Sequence, residues 1–70
     1  MRCFFHLIGR TEVIPDTDGL EVADVDEAHA HALRVLDELR RSRQGDGAWA
    51  GWTLGIADAG GALLLTLRVG

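Results

Sequence analysis

One cysteine, one proline and no tyrosine occur among these 70 residues, and each scarcity narrows what the chain can be. Cys3 has no second cysteine to bond, so an intrachain disulfide is excluded, and a thiol beside two phenylalanines is expected to behave as a small buried hydrophobe. The single proline, Pro15, leaves most of the backbone free for hydrogen-bonded structure. Long apolar runs are lacking too. The longest, Ala62 to Leu65, falls far short of the roughly 20 residues that span a bilayer as a helix. Met1 and Arg2 lead only into a brief aromatic stretch broken by His6, with no small-residue cleavage site after it, so no secretory signal is expected. The expectation is a cytoplasmic protein with no membrane partner. Basic residues are in deficit: eleven acidic against seven basic give a formal charge of -4, which repels phosphate backbones and argues against nucleic acid as a partner.

What is present suffices for one small core. Residues 1–70 are read as a single domain, at a size where the core is close to the minimum that folds unaided. Natural domains this small draw help from disulfides, a structural metal or a partner subunit. With the disulfide excluded, a partner is the first place to look.

From Arg2 to Ile8 the residues are aromatic, aliphatic or compatible with a strand, and Gly9-Arg10 supplies a break. Thr11 to Ile14 reads as a short second strand ended by Pro15, so the pair forms a hairpin with the second strand at the sheet edge. Asp16-Thr17-Asp18-Gly19 is a turn by its chemistry, and Leu20 to Val22 a connection. Asp24 is placed as an N-cap with Glu27 three positions on. Val25, Ala28, Ala32, Val35, Leu36 and Leu39 then recur at three- and four-residue steps, one stripe of an amphipathic helix. The helix is expected to start near Val25 and stop around Arg43, where Gln44-Gly45-Asp46-Gly47 offers glycines for a cap and a link. Acidic residues lead it and Arg40, Arg41 and Arg43 close it, a polarity that suits the helix dipole.

A third strand lies within Trp49 to Ala57, with Trp52, Leu54 and Ile56 alternating with Thr53, Gly55 and Ala57. Asp58-Ala59-Gly60-Gly61 is a hairpin turn, and Ala62 to Val69 is a fourth strand with Leu63, Leu65, Leu67 and Val69 on one side. The fold class is therefore α+β, ordered ββαββ: a four-stranded antiparallel sheet with one helix packed on one face. The spatial order 2-1-4-3 is expected, because it puts the two most apolar strands in the centre.

Phe4-Phe5-His6, then Ile14-Pro15-Asp16 followed by Gly19 and Glu21, an alanine-rich helix, and Trp52 leading a strand that ends at Asp58 occur in that order. In this the chain resembles a family of small uncharacterised bacterial proteins, a domain of unknown function. The resemblance spans nearly the whole chain. It implies the fold and brings no chemistry with it, since the family has no established activity.

No catalytic, cofactor-binding or metal-binding residue is assigned from the residues themselves, and no cofactor is expected. His29 and His31 sit about 200 degrees apart around a helix and cannot grip one ion together. Glu27 and His31 share a face at i,i+4, a spacing that more often makes a surface pair. His29 borders the apolar stripe and is expected half-buried against a backbone carbonyl. The acidic run from Asp16 to Asp26 fails as a calcium loop, because aligning Gly19 on the loop glycine puts Ile14 and Val25 where oxygen ligands are required. Gly55, Gly60 and Gly61 come without the Gly-Lys-Ser/Thr sequence of a phosphate loop. Cys3 and His6 point to opposite sides of their strand, so they form no nucleophile–base dyad. A small-molecule or metal-dependent enzyme would need convergent polar groups around His6, His29 or Asp58. A single-stranded nucleic-acid binder would stack bases on Phe4, His6 and Trp49, against the charge.

Along the first strand Cys3, Phe5 and Leu7 point one way while Phe4, His6 and Ile8 point the other. One helix covers one face. If it takes the Cys3 face, the opposite face collects Phe4, His6 and Ile8, joined by Leu64 and Thr66 of the last strand; exchanging the faces leaves the argument intact. Extended apolar surface marks an interaction site. Of the tryptophans, Trp49 beside the glycine-rich link suits a partner and Trp52 suits the core. The reading is a protein-protein interaction or regulatory module. It would act as a homodimer, or with another protein, through the uncovered face or a free strand edge, with Phe4, His6, Ile8, Trp49 and Leu64 at the contact.

Overall fold

The structure, a computed structural model, describes residues 1–42, 47 and 49–70. Its elements are β1 (Arg2–Ile8), β2 (Val13–Ile14), β3 (Leu20–Glu21), α1 (Val25–Ser42), β4 (Thr53–Asp58) and β5 (Leu63–Arg68). The helix begins where its cap predicts: the Asp24 carboxylate accepts the Glu27 N–H at 2.8 Å. Ala28, Ala32 and Leu36 of the apolar stripe are buried, with Val35 and Leu39 half-buried beside them. Asp26 and Glu27 open the helix and Arg40 and Arg41 close it, each set facing the end of the dipole that favours it. Arg43, Gln44, Gly45 and Asp46, where the stop and link were expected, lie outside the described residues. Among the described residues no helix is long and apolar enough to cross a membrane.

All strand pairings are antiparallel, in the order β2-β1-β4-β5, with β3 also paired to β1. The expected order is thus corrected: β4, not the last strand, lies beside β1. Small residues explain this. On the side away from the helix β4 presents Gly55 and Ala57, both buried. A Cβ placed on Gly55 would meet the Ile8 Cδ1 at 2.9 Å and the Leu63 Cδ1 at 3.2 Å. Large side chains from both neighbours close over the strand that lacks them, so low bulk suits β4 to the centre.

The edge beside β1 also differs from expectation. Instead of one strand from Thr11 and a connection at Leu20, two two-residue strands occupy it, with Ile14 opposite Leu7 and Leu20 opposite Cys3. The chain loops out between them from Pro15 to Gly19. Gly19 turns it back at φ 74°, where a Cβ would lie 2.8 Å from the Phe4 ring and 3.0 Å from the Cys3 carbonyl. Gly19→Ala should therefore lower stability by more than about 1 kcal/mol, read as a lowered midpoint in urea unfolding.

The hairpin of β4 and β5 carries a bulge. Ile56 pairs with Leu65 but Ala57 pairs with Leu63, leaving Leu64 as the extra residue. Leu64 consequently packs against the core cluster and Leu63 swings to the opposite face, which reverses the faces expected for these two leucines. The core itself lies between the helix and the Cys3 face: Cys3, Leu54, Ile56 and Val69 are at most 1% exposed and cluster with Ala28, Ala32 and Leu36. Phe5 meets His31 edge-on there, with ring centroids 5.0 Å apart.

Candidate functional site

With the helix on the Cys3 side, the even-numbered residues of β1 form the uncovered face. Phe4, His6 and Ile8 stand opposite Ala57, Gly55 and Thr53 of β4, and Val13 lies beside Ile8 at the edge. The rings of Phe4 and His6 are nearly parallel, 6.3 Å apart. Phe4, His6 and Ile8 are half-buried; Gly19 lies close against the Phe4 ring, and the tips of Ile8 and Leu63 both reach over Gly55. Among the large apolar side chains of this face the most exposed lie at its margins, 57% at Leu63 and 56% at Val13.

A polar network anchors one side. The Asp16 carboxylate accepts the N–H groups of Phe5 at 3.2 Å, Asp18 at 3.1 Å and Gly19 at 3.1 Å. Phe5 sits where neither β2 nor β3 reaches β1, so this side chain supplies the acceptor that a continuous strand would have offered. The Asp16 N–H in turn donates to Nδ1 of His6 at 3.0 Å, which leaves the ring proton on Nε2 in the neutral imidazole. Burial works to raise the Asp16 pKa, but the hydrogen bonds from Gly19, Phe5 and Asp18 and the neighbouring His6 outweigh it and hold the group below 3.8. The Asx turn was legible in the spacing of Asp16, Asp18 and Gly19. Its reach across to β1 carries no local signal.

The other side of the sheet ends in β5. Asp58 N–H donates to the Ala62 carbonyl and Val69 N–H to that of Trp52. Alternation along the ladder then turns the amides of Leu65 and Leu67 toward β4 and those of Thr66 and Arg68 outward. Arg40 of the helix reaches the end of this strand, its Nε 2.8 Å from the Val69 carbonyl and its Nη2 3.3 Å from that of Arg68. Leu33, seven residues earlier and hence on the same helix flank, is 51% exposed.

Two residues expected at a contact are placed elsewhere. Trp49 is only 7% exposed, edge-on to Trp52 at 5.6 Å, and its indole N–H donates to the Leu39 carbonyl at 2.9 Å. The last carbonyls of a helix lack partners within it, and the indole serves one of them, so Trp49 is a core residue. Leu64 is drawn inward by the bulge. Phe4, His6 and Ile8 do come together. His29, expected half-buried, is exposed, and His31 takes the inward place against Phe5.

His6, His29 and Asp58 do not converge. The Asp58 carboxylate is engaged in its own turn, accepting the Gly60 and Ala62 N–H groups at 2.9 Å each. Among the described residues no three His, Cys, Asp or Glu side chains are grouped to hold a metal ion. A cleft of about 300 Å³ lies at the other end of the sheet, lined by Ala50, Gly51, Trp52, Thr53, Arg68 and Gly70; Arg68 is its one ionisable side chain.

A family model described as Domain of unknown function (DUF6894) matches residues 2–70, and the chain belongs to that family. No curated protein and no solved structure matches the chain.

Proposed function

We propose that this member of the DUF6894 family is a protein-protein interaction module that acts as a homodimer through its sheet. The supporting observation is apolar surface on the side the helix leaves bare: Leu63 and Val13 are each more than half exposed, around half-buried Phe4 and Ile8. Burying roughly 400 Å² of apolar surface per copy would contribute on the order of 10 kcal/mol per copy, set against a large cost of association. That is welcome to a core this small. Two polar side chains of the face are engaged in the fold, which favours contact over catalysis there. His6 is bonded by Asp16, and Arg2 is bonded by the Asp18 carbonyl and lies 3.6 Å from Glu21. A cytoplasmic setting belongs to the same reading, since a reducing compartment suits a chain with one thiol, buried.

Sedimentation equilibrium across the micromolar range tests the reading. The expected result is a mass that climbs with concentration from 7.6 kDa toward twice that value. A mass that never leaves the single-chain value at high micromolar concentration would refute it.

A further inference from the structure

We propose that the second copy joins at the outer edge of β5, antiparallel, with Thr66 on the twofold axis. This rests on the homodimer reading and takes a free strand edge, rather than the bare face, as the place where the two copies meet.

The two margins of the sheet are unequal. Beside β1 the edge is broken into β2 and β3, with Pro15 and the Asp16 loop between them, and the Asp16 carboxylate already holds the Phe5 amide. Such an edge offers an incoming strand no continuous row of donors and acceptors. β5 is one run of six residues, Leu63–Arg68, uncharged until its last. Among the described residues nothing pairs with its outer side.

Local features also select the register. The bulge at Leu64 closes the start of the free stretch, and Arg40 closes its end by bonding the Arg68 and Val69 carbonyls. Thr66 lies midway, with its N–H and C=O turned outward. Two antiparallel copies centred on Thr66 exchange both of its backbone hydrogen bonds and set Leu65 of one opposite Leu67 of the other, the kind of cross-strand pair that stabilises a sheet. A slip that pairs odd with even positions would set helix-face side chains against those of the other face. Centres one residue either way run the bonded pairs into the bulge or bring both Arg68 side chains toward the axis, where like charges repel.

A twofold axis normal to the sheet also keeps both helices on one side. Leu33, exposed on the helix flank that also carries Arg40, would then face the helix of the second copy, which would account for an apolar residue left bare off the buried stripe.

Two substitutions test the geometry. Thr66→Pro removes an amide that β4 does not use, so the far-ultraviolet circular dichroism of the wild type should persist; symmetry deletes the bond in both copies, and association should weaken by about tenfold or more. Thr66→Cys, treated with a short thiol-specific bifunctional cross-linker, should yield a covalently linked pair, because the opposed Cα atoms of a bonded antiparallel pair lie about 5.5 Å apart, while Val13→Cys at the other margin should not. Should Thr66→Pro fail to fold, the cysteine pair decides. A wild type that dimerises while Thr66→Cys fails to cross-link, or while Val13→Cys cross-links instead, overturns the β5 edge and leaves the homodimer reading standing. A monomeric wild type overturns both.

Discussion

Trp49→Ala should lower the unfolding free energy by about 3–5 kcal/mol, the usual cost of emptying a buried tryptophan site. A domain of this size rarely holds more than about 3–5 kcal/mol from a single core, so the variant should be largely unfolded at room temperature. The side chain is 7% exposed, packs edge-on against Trp52 and bonds the Leu39 carbonyl; alanine replaces none of these. Trp49→Phe keeps ring bulk and loses the indole N–H, and it should cost about 1 kcal/mol, because Ser42 Oγ also donates to the Leu39 carbonyl. Circular dichroism and the fluorescence of Trp52 report both. An alanine variant that folds normally and only fails to associate would return Trp49 to the role of a partner-facing residue.

Asp16→Ala comes next in size. It takes the acceptor from three backbone amides, of which those of Phe5 and Gly19 are partly buried, and leaving such donors unpaired should cost about 2–3 kcal/mol. Asp16→Asn separates charge from shape, since one of its two atoms must now present hydrogens to a donor. The pH dependence has a definite sign. Despite partial burial, the native carboxyl is held below the ordinary carboxylate value by its backbone hydrogen bonds, so the stability it contributes is complete above the unfolded value and is lost as pH falls through the lowered native one. The stability gap between wild type and Asp16→Asn, measured by urea unfolding, should hold steady from neutral pH down to about the ordinary carboxylate range and close in stronger acid. A gap that persists undiminished there would show that the carboxylate's charge is not what holds the loop.

Much of this architecture was legible in the residues. The helix from Val25, its Asp24 cap, the buried stripe of Ala28, Ala32 and Leu36, and the β4–β5 hairpin follow from local periodicity and capping, which neighbouring residues carry by themselves. What escaped depends on distant partners. Leu20–Glu21 is a strand only because β1 is there to pair with it, and the place of β4 at the centre depends on how Ile8 and Leu63 fold over Gly55. Counting apolar residues per strand misled the expected order, since burial falls on the strand whose small residues admit its neighbours' bulk. The bulge undid simple alternation at Leu63 and Leu64. Of the contact residues read from sequence, Phe4, His6 and Ile8 share the bare face, while Trp49 and Leu64 belong to the core.

The interrupted margin at Pro15–Gly19 bears on how far assembly can proceed. Head-to-tail growth into a fibre needs two complementary margins on every subunit, each receiving the next. Under the proposed β5 pairing, the one receptive edge of each sheet is consumed by a single isologous encounter, and no strand edge remains for a third molecule. Under that proposed pairing the aspartate loop is the terminator, the feature that would keep a leucine-rich strand from seeding runaway aggregation.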